Sequence, residues 1–85
     1  AMNNLIARVI DLTAAFLPLS SARTVGTITI TAPPGNSDMA YLQGDSGQEV
    51  PLAPGEWHRL ERVNLADIQV KGSVGDKLTV IGGTW

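Results

Sequence analysis

The sequence predicts an all-β fold, a small antiparallel β-sandwich or barrel with an N-terminal arm. Three observations point there: five or six short runs of alternating apolar residues, a spacing of roughly ten residues between them, and proline and glycine clusters that separate them. The chain of 85 residues makes one domain, and a domain of this size buries only roughly 60–65% of its unfolded surface. Residues 2–16 read as the arm or first strand and residues 17–85 as the sandwich. Ala1 ahead of Met2 reads as a cloning remnant and is left out of the fold argument.

Taken in order, the first segment is the most ambiguous. Leu5, Val9, Leu12 and Phe16 fall at helical spacing, while Ile6, Val9 and Ile10 are β-branched. The extended reading over Leu5 to Thr13 is preferred because everything after it is β. Pro18 ends the segment, since it lacks an amide proton and disfavours helical geometry at Leu17. From Arg23 to Ala32 the alternation is strict, with Val25, Ile28 and Ile30 set against Thr27, Thr29 and Thr31, and Gly26 marks a bulge. Pro33 to Asn36 is a turn cluster. Met39 to Leu42 is a short strand, Gly44 to Gly47 a hairpin tip, and Pro51 to Glu56 a rigid reversal in which Gly55 takes a positive φ. Strands follow over Trp57–Val63, Ile68–Lys71 and Lys77–Ile81, with a turn from Gly72 to Asp76, and Gly82 and Gly83 end the sheet. The expected inward residues are Val25, Ile28, Ile30, Tyr41, Trp57, Ile68, Val70, Leu78 and Val80.

Composition narrows the function. Four arginines and two lysines are scattered through a chain of net charge −2, so no basic stripe exists to track phosphates and nucleic acid is not an expected partner. Arg8 and Asp11 interrupt the longest apolar stretch well short of the ~20 residues of a membrane span, and a signal peptide is not expected, since no charged region precedes a continuous apolar run. With no cysteine and a single histidine, neither disulfides nor a His/Cys zinc site can reinforce a small core. Only 16% of residues are charged, below the usual quarter or so. Oligomerisation is the remaining common remedy.

Catalytic residues, cofactors and metals are not expected. His58 is the only imidazole, and it lies in a strand between Trp57 and Arg59 without a neighbouring nucleophile. Glu56 with Glu61, or Asp45 with Glu49, could pair as carboxylates, but turns and strand ends are where solvated acids ordinarily sit. Asp45-Ser46-Gly47 lacks the ligand spacing of a calcium loop, and the glycines form no phosphate-binding run. Tyr41 and Trp57 read first as core or interface anchors, with a stacking platform for a carbohydrate or cell-surface ligand as the alternative if they share an exposed face.

The order of motifs is itself informative: Leu17-Pro18 with Arg23, Tyr41-Leu42-Gln43-Gly44, Pro51-Leu52-Ala53-Pro54-Gly55-Glu56, Asp67-Ile68-Gln69-Val70, and Gly72 through Val80. This series resembles a family of small β-domains of tailed bacteriophages and prophages, which occur alone or attached to structural proteins of the head or tail. The resemblance covers about Leu17 to Gly82, and it implies architecture rather than activity, with no catalytic residues to carry over. It implies a non-enzymatic structural protein made in the bacterial cytoplasm and destined for the virion, with other virion proteins as partners. From the residues comes the expectation of a homo-oligomer, held through Leu5, Ile6, Val9, Ile10, Leu12 and Phe16. Closed cyclic symmetry is the usual form, and a trimer suits a virion appendage.

Overall fold

The computed structural model describes residues 4–85. Its elements are β1 (Leu5–Asp11), β2 (Leu17–Pro18), β3 (Val25–Thr31), β4 (Ala40–Gln43), β5 (Glu49–Leu52), β6 (Trp57–Asn64), a single 3-10 turn (Leu65–Asp67), β7 (Gln69–Lys71) and β8 (Lys77–Thr84). The strands form two four-stranded sheets in the orders β1-β8-β3-β6 and β2-β7-β4-β5, and every pairing is antiparallel. The fold is an all-β sandwich, not a closed barrel.

The strand with the strictest alternation, β3, organises the larger sheet. Gly26, Ile28 and Ile30 face inward and are buried, while the threonines between them face out. The second row of the core comes from Leu42, Leu52 and Val70 of the smaller sheet and from Leu78 and Val80 of β8. Each such aliphatic side chain is worth ~1.5–3 kcal/mol when fully buried.

The first segment is a regular strand, not a helix, and it belongs to the sheet of its own chain. Residues 5–11 pair with residues 83–77 of β8. Ile6 fits inward because Gly26 leaves space for it: a Cβ on Gly26 would stand 2.9 Å from the Ile6 Cδ1 and 2.5 Å from the Gly83 carbonyl oxygen, whereas a Cβ on a second glycine, Gly82, would run into the Thr27 carbonyl oxygen and the Ile28 Cα of β3. Ile6 lies directly opposite the second glycine, Gly82. Gly82 and Gly83 therefore do not end the sheet, as their type suggested, but continue β8 beside β3 and β1.

Three further expectations are corrected. Pro51 and Leu52 belong to β5 rather than to the reversal; an edge strand has a flank where the missing proline amide costs nothing, and Leu52 is fully buried. The reversal itself is shorter, from Ala53 to Glu56, with Gly55 at φ 91° as expected and Glu56 Oε1 accepting from the Ala53 amide at 2.7 Å. Trp57 and Tyr41 are not core residues. Trp57 pairs with the outward Thr31, and Tyr41 lies between the inward Ala40 and Leu42 on the opposite parity. Val25 and Ile68 are only half-buried.

Leu65, in the 3-10 turn, is a core residue outside any expected strand. Asn64 caps that turn, its Oδ1 accepting from Ala66 N at 3.2 Å and from Thr24 N at 3.0 Å. At the other end of the sandwich, Asn36 both donates to the Lys77 carbonyl (2.7 Å) and accepts from the Lys77 amide (2.9 Å), and so imitates a strand partner. Asp76 completes this clasp: its carboxylate accepts from the amides of Ser37 (2.9 Å) and Asp38 (3.0 Å) and from the Ser37 hydroxyl. The Ser37 amide foremost, then the Ser37 hydroxyl and the Asp38 amide, hold the Asp76 carboxyl below its ordinary pKa against the opposing effect of burial.

Candidate functional site

The four outermost strands of the two sheets carry unequal protection against pairing with another chain. β2 is two residues long and contains Pro18; β5 is four residues long and contains Pro51. β6 is longer, but it is bulged, with Glu61 and Arg62 together facing the single residue Thr27. Arg62 there adopts φ 53°, its amide donates to Thr27 Oγ1 at 3.3 Å, and its guanidinium lies 4.1 Å from the Trp85 ring centre. Short length, proline, bulges and charge are the usual devices that keep a sheet edge from templating another strand.

β1 has neither proline nor bulge over its seven residues. The Leu12 amide bonds to the Asp76 carbonyl and the Thr84 amide to the Asn4 carbonyl, so even-numbered residues of β1 bond to β8. The backbone N–H and C=O groups of Leu5, Ala7, Val9 and Asp11 consequently point away from β8, toward the open flank. Their side chains project from the outer face, where Leu5 is 76% exposed and Val9 63%. Ile81, 58% exposed, pairs with Ala7 on one side and Thr29 on the other. The result is an apolar strip along the edge, continued inward across β8. One charged residue, Arg8, turns inward from this strand, and its Nη1 reaches beneath the sheet to the Leu19 carbonyl at 3.3 Å.

The six residues expected to form an oligomer contact are thus dispersed. Leu5 and Val9 lie on the exposed strip, and Ile10 is half-buried on the inner row. Ile6 and Leu12, each 3% exposed, belong to the core and are corrected as contact candidates, since the sandwich covers them within one chain. Phe16 is on the other sheet, its ring centre 4.8 Å from Lys71 Nζ. Ala7 and Ile81, which also lie on the exposed strip, were not among the six. The available signal was an apolar residue at Ile81 on the parity of β8 otherwise held by Lys77 and Thr79.

Tyr41 and Trp57 do not share a face. Trp57, 61% exposed, stands on the outer face of the larger sheet, and Tyr41 on the outer face of the smaller one. Tyr41 lies opposite Lys71, whose Nζ is 5.7 Å from its ring centre and pairs with Glu49 Oε1 at 3.0 Å. Trp85 is held by an Nε1 bond that it donates to Thr27 Oγ1 at 2.7 Å.

At the β6 margin the sheets gape, leaving an apolar cleft of about 340 Å³ lined by Leu42, Val50, Leu60 and Ile68, with His58 at its side. No nucleophile or carboxylate lines it. Glu61 pairs with Arg59 at 3.3 Å, and Glu56 caps its own turn. Among the described residues, no three His, Cys, Asp or Glu side chains gather where they could hold a metal ion, and no helix is long and apolar enough to cross a membrane. Comparison of the chain with protein-family models, with curated proteins and with solved structures finds no match in any of the three.

Proposed function

We propose that this chain is a non-enzymatic assembly protein acting through protein–protein contacts, and that the exposed strip of β1 and Ile81 is its contact surface. The observation that carries the reading is the contrast among the edges: β1 alone is long and regular, with Leu5, Ala7 and Val9 in succession on its outer side ahead of Asp11. Sheet edges of that kind are ordinarily suppressed in proteins that act as monomers. The motif resemblance from Leu17 to Gly82 supports a structural role in a phage or prophage head or tail, where repeated copies of one chain are the building material.

Light scattering across a concentration series tests the reading. The wild-type chain is expected to form a homo-oligomer. Val9→Lys and Ile81→Lys shift it toward the monomer, while Val74→Lys, a change at an exposed residue of the β7–β8 turn, leaves it unaltered. A wild-type chain that stays monomeric at its highest soluble concentration counts against the proposal.

A further inference from the structure

We infer that the partner of β1 is β1 of a second copy, paired antiparallel about a two-fold axis at Ala7, so that two four-stranded sheets become one of eight strands. This rests on the assembly reading above and specifies its partner. Three features of the strand carry it.

The first is hydrogen-bond parity. In an antiparallel ladder, residues that do not bond to one neighbour bond to the other. Leu5, Ala7 and Val9 present their N–H and C=O groups to the open flank. A two-fold axis at Ala7 sets Leu5 against Val9 of the second copy, Ala7 against its own equivalent, and Val9 against Leu5. Each is a hydrogen-bonded pair that exchanges two backbone bonds, so about six bonds are made and no extra donor or acceptor is needed.

The second is side-chain complementarity. The same axis places the two largest exposed apolar residues of the strand, Leu5 and Val9, directly across from each other on the outer face. The smallest, Ala7, falls on the axis, with Ile81 of its own chain beside it on the β8 side and the equivalent Ala7 on the other. Neighbouring registers are poorer. An axis at Arg8 opposes two arginines directly, and like charges across a ladder destabilise it. An axis at Val9 sets Ala7 against Asp11.

The third is the inward turn of Arg8. An inward-pointing charge can itself discourage edge pairing, but the guanidinium is bonded to the Leu19 carbonyl below the sheet. The flank of the strand stays clear. A ring built by joining β1 of one copy to β6 of the next would have to form across the Glu61–Arg62 bulge, so this edge favours a two-fold pair over a trimer.

Cross-linking and proline substitution test the pairing together. The chain contains no cysteine, so Ala7→Cys introduces one thiol whose symmetry mate lies about 5.5 Å away between Cα atoms, within disulfide reach. Under mild oxidation Ala7→Cys is expected to run as a covalent dimer. Leu5→Cys or Val9→Cys alone stays uncrosslinked, and an equimolar mixture of the two cross-links. Ala7→Pro removes an amide that points to the open flank, so it keeps the circular dichroism of the wild type and dissociates at least tenfold more readily. Ala7→Lys, which removes no backbone donor, does the same and stands in if Ala7→Pro fails to fold. An assembly that survives Ala7→Lys and gives no cross-link in Ala7→Cys overturns the strand pairing and leaves the assembly reading standing. A wild-type monomer overturns both.

Discussion

The two outer strands of the larger sheet, β1 and β6, have the same formal position and opposite chemistry. Each pairs with one neighbour and leaves one flank unpaired. β6 is bulged at Glu61 and Arg62 and carries Arg59, Glu61 and Arg62, and its inner row packs on the core only partly, through Leu60 and Val63, beside a cleft. β1 is straight in register, sets Ile6 into the core and shows leucine, alanine and valine outside. An edge can be secured by irregularity and charge or by being covered. In this molecule β6 shows the first means, and β1 lacks it.

The comparison can be broken most forcefully at the inner row. Ile6→Ala empties the site between Gly26 and Gly82 and is expected to cost ~2–5 kcal/mol in urea denaturation, as for other buried isoleucines. Leu60→Ala, at the half-open margin of β6, should fall below that range. Equal losses would mean that β6 is as firmly seated as β1 and that the cleft is closed in solution. A smaller effect concerns the bulge. Arg62→Gly relieves a left-handed residue worth ~1–2 kcal/mol and gives up a cation–π contact worth ~0.5–1 kcal/mol. A net gain of ~0–1.5 kcal/mol is expected from these two figures, read as a slightly higher melting temperature. A clear loss would show that the stack on Trp85, rather than the backbone, holds the bulge in place.

The mildest effect is local and depends on pH. Asp76 holds the β1 end of the larger sheet, since its carbonyl receives the Leu12 amide while its carboxylate receives Ser37 and Asp38. Its pKa is lowered in the folded chain. The contribution is therefore complete above the ordinary carboxylate range and is lost as pH falls through the lowered value. On acidification, with intrinsic exchange rates corrected, the Ser37, Asp38 and Leu12 amides should lose hydrogen-exchange protection before those of His58 and Leu60. Asp76→Asn should remove that acid-dependent component. Simultaneous loss along β1 and β6 would show that the clasp acts on the whole sandwich.

Much of the architecture was legible because β3, β7 and β8 bury one face and expose the other, which alternation reports directly. The Gly55 reversal was legible because a proline–glycine pair has few ways to turn. The outer strands were harder to read. In β1 both faces are apolar, and in β6 neither is, so the period says where two faces are but not which one turns inward. Trp57 was expected to face inward, yet its partner Thr31 fixes it outside. Pro51 resembled a loop residue because its strand lies at an edge. For the proposed contact surface, apolar content at residues 5–16 was visible in the sequence. The division of Leu5 and Val9 from Ile6 and Leu12 required knowing that Gly26 and Gly82 lie opposite.

The pairing of β1 with β8 also governs the order in which the molecule can be made. Residues 5–11 leave the ribosome long before residues 77–83, and β3 too has only β6 beside it until β8 arrives. Contacts of such sequence separation make folding slow, because the loop must close before any of them forms. The larger sheet is therefore completed only once β8 has been made, in a step that inserts it between two waiting strands. Until then the most apolar strand of the chain has no partner within it.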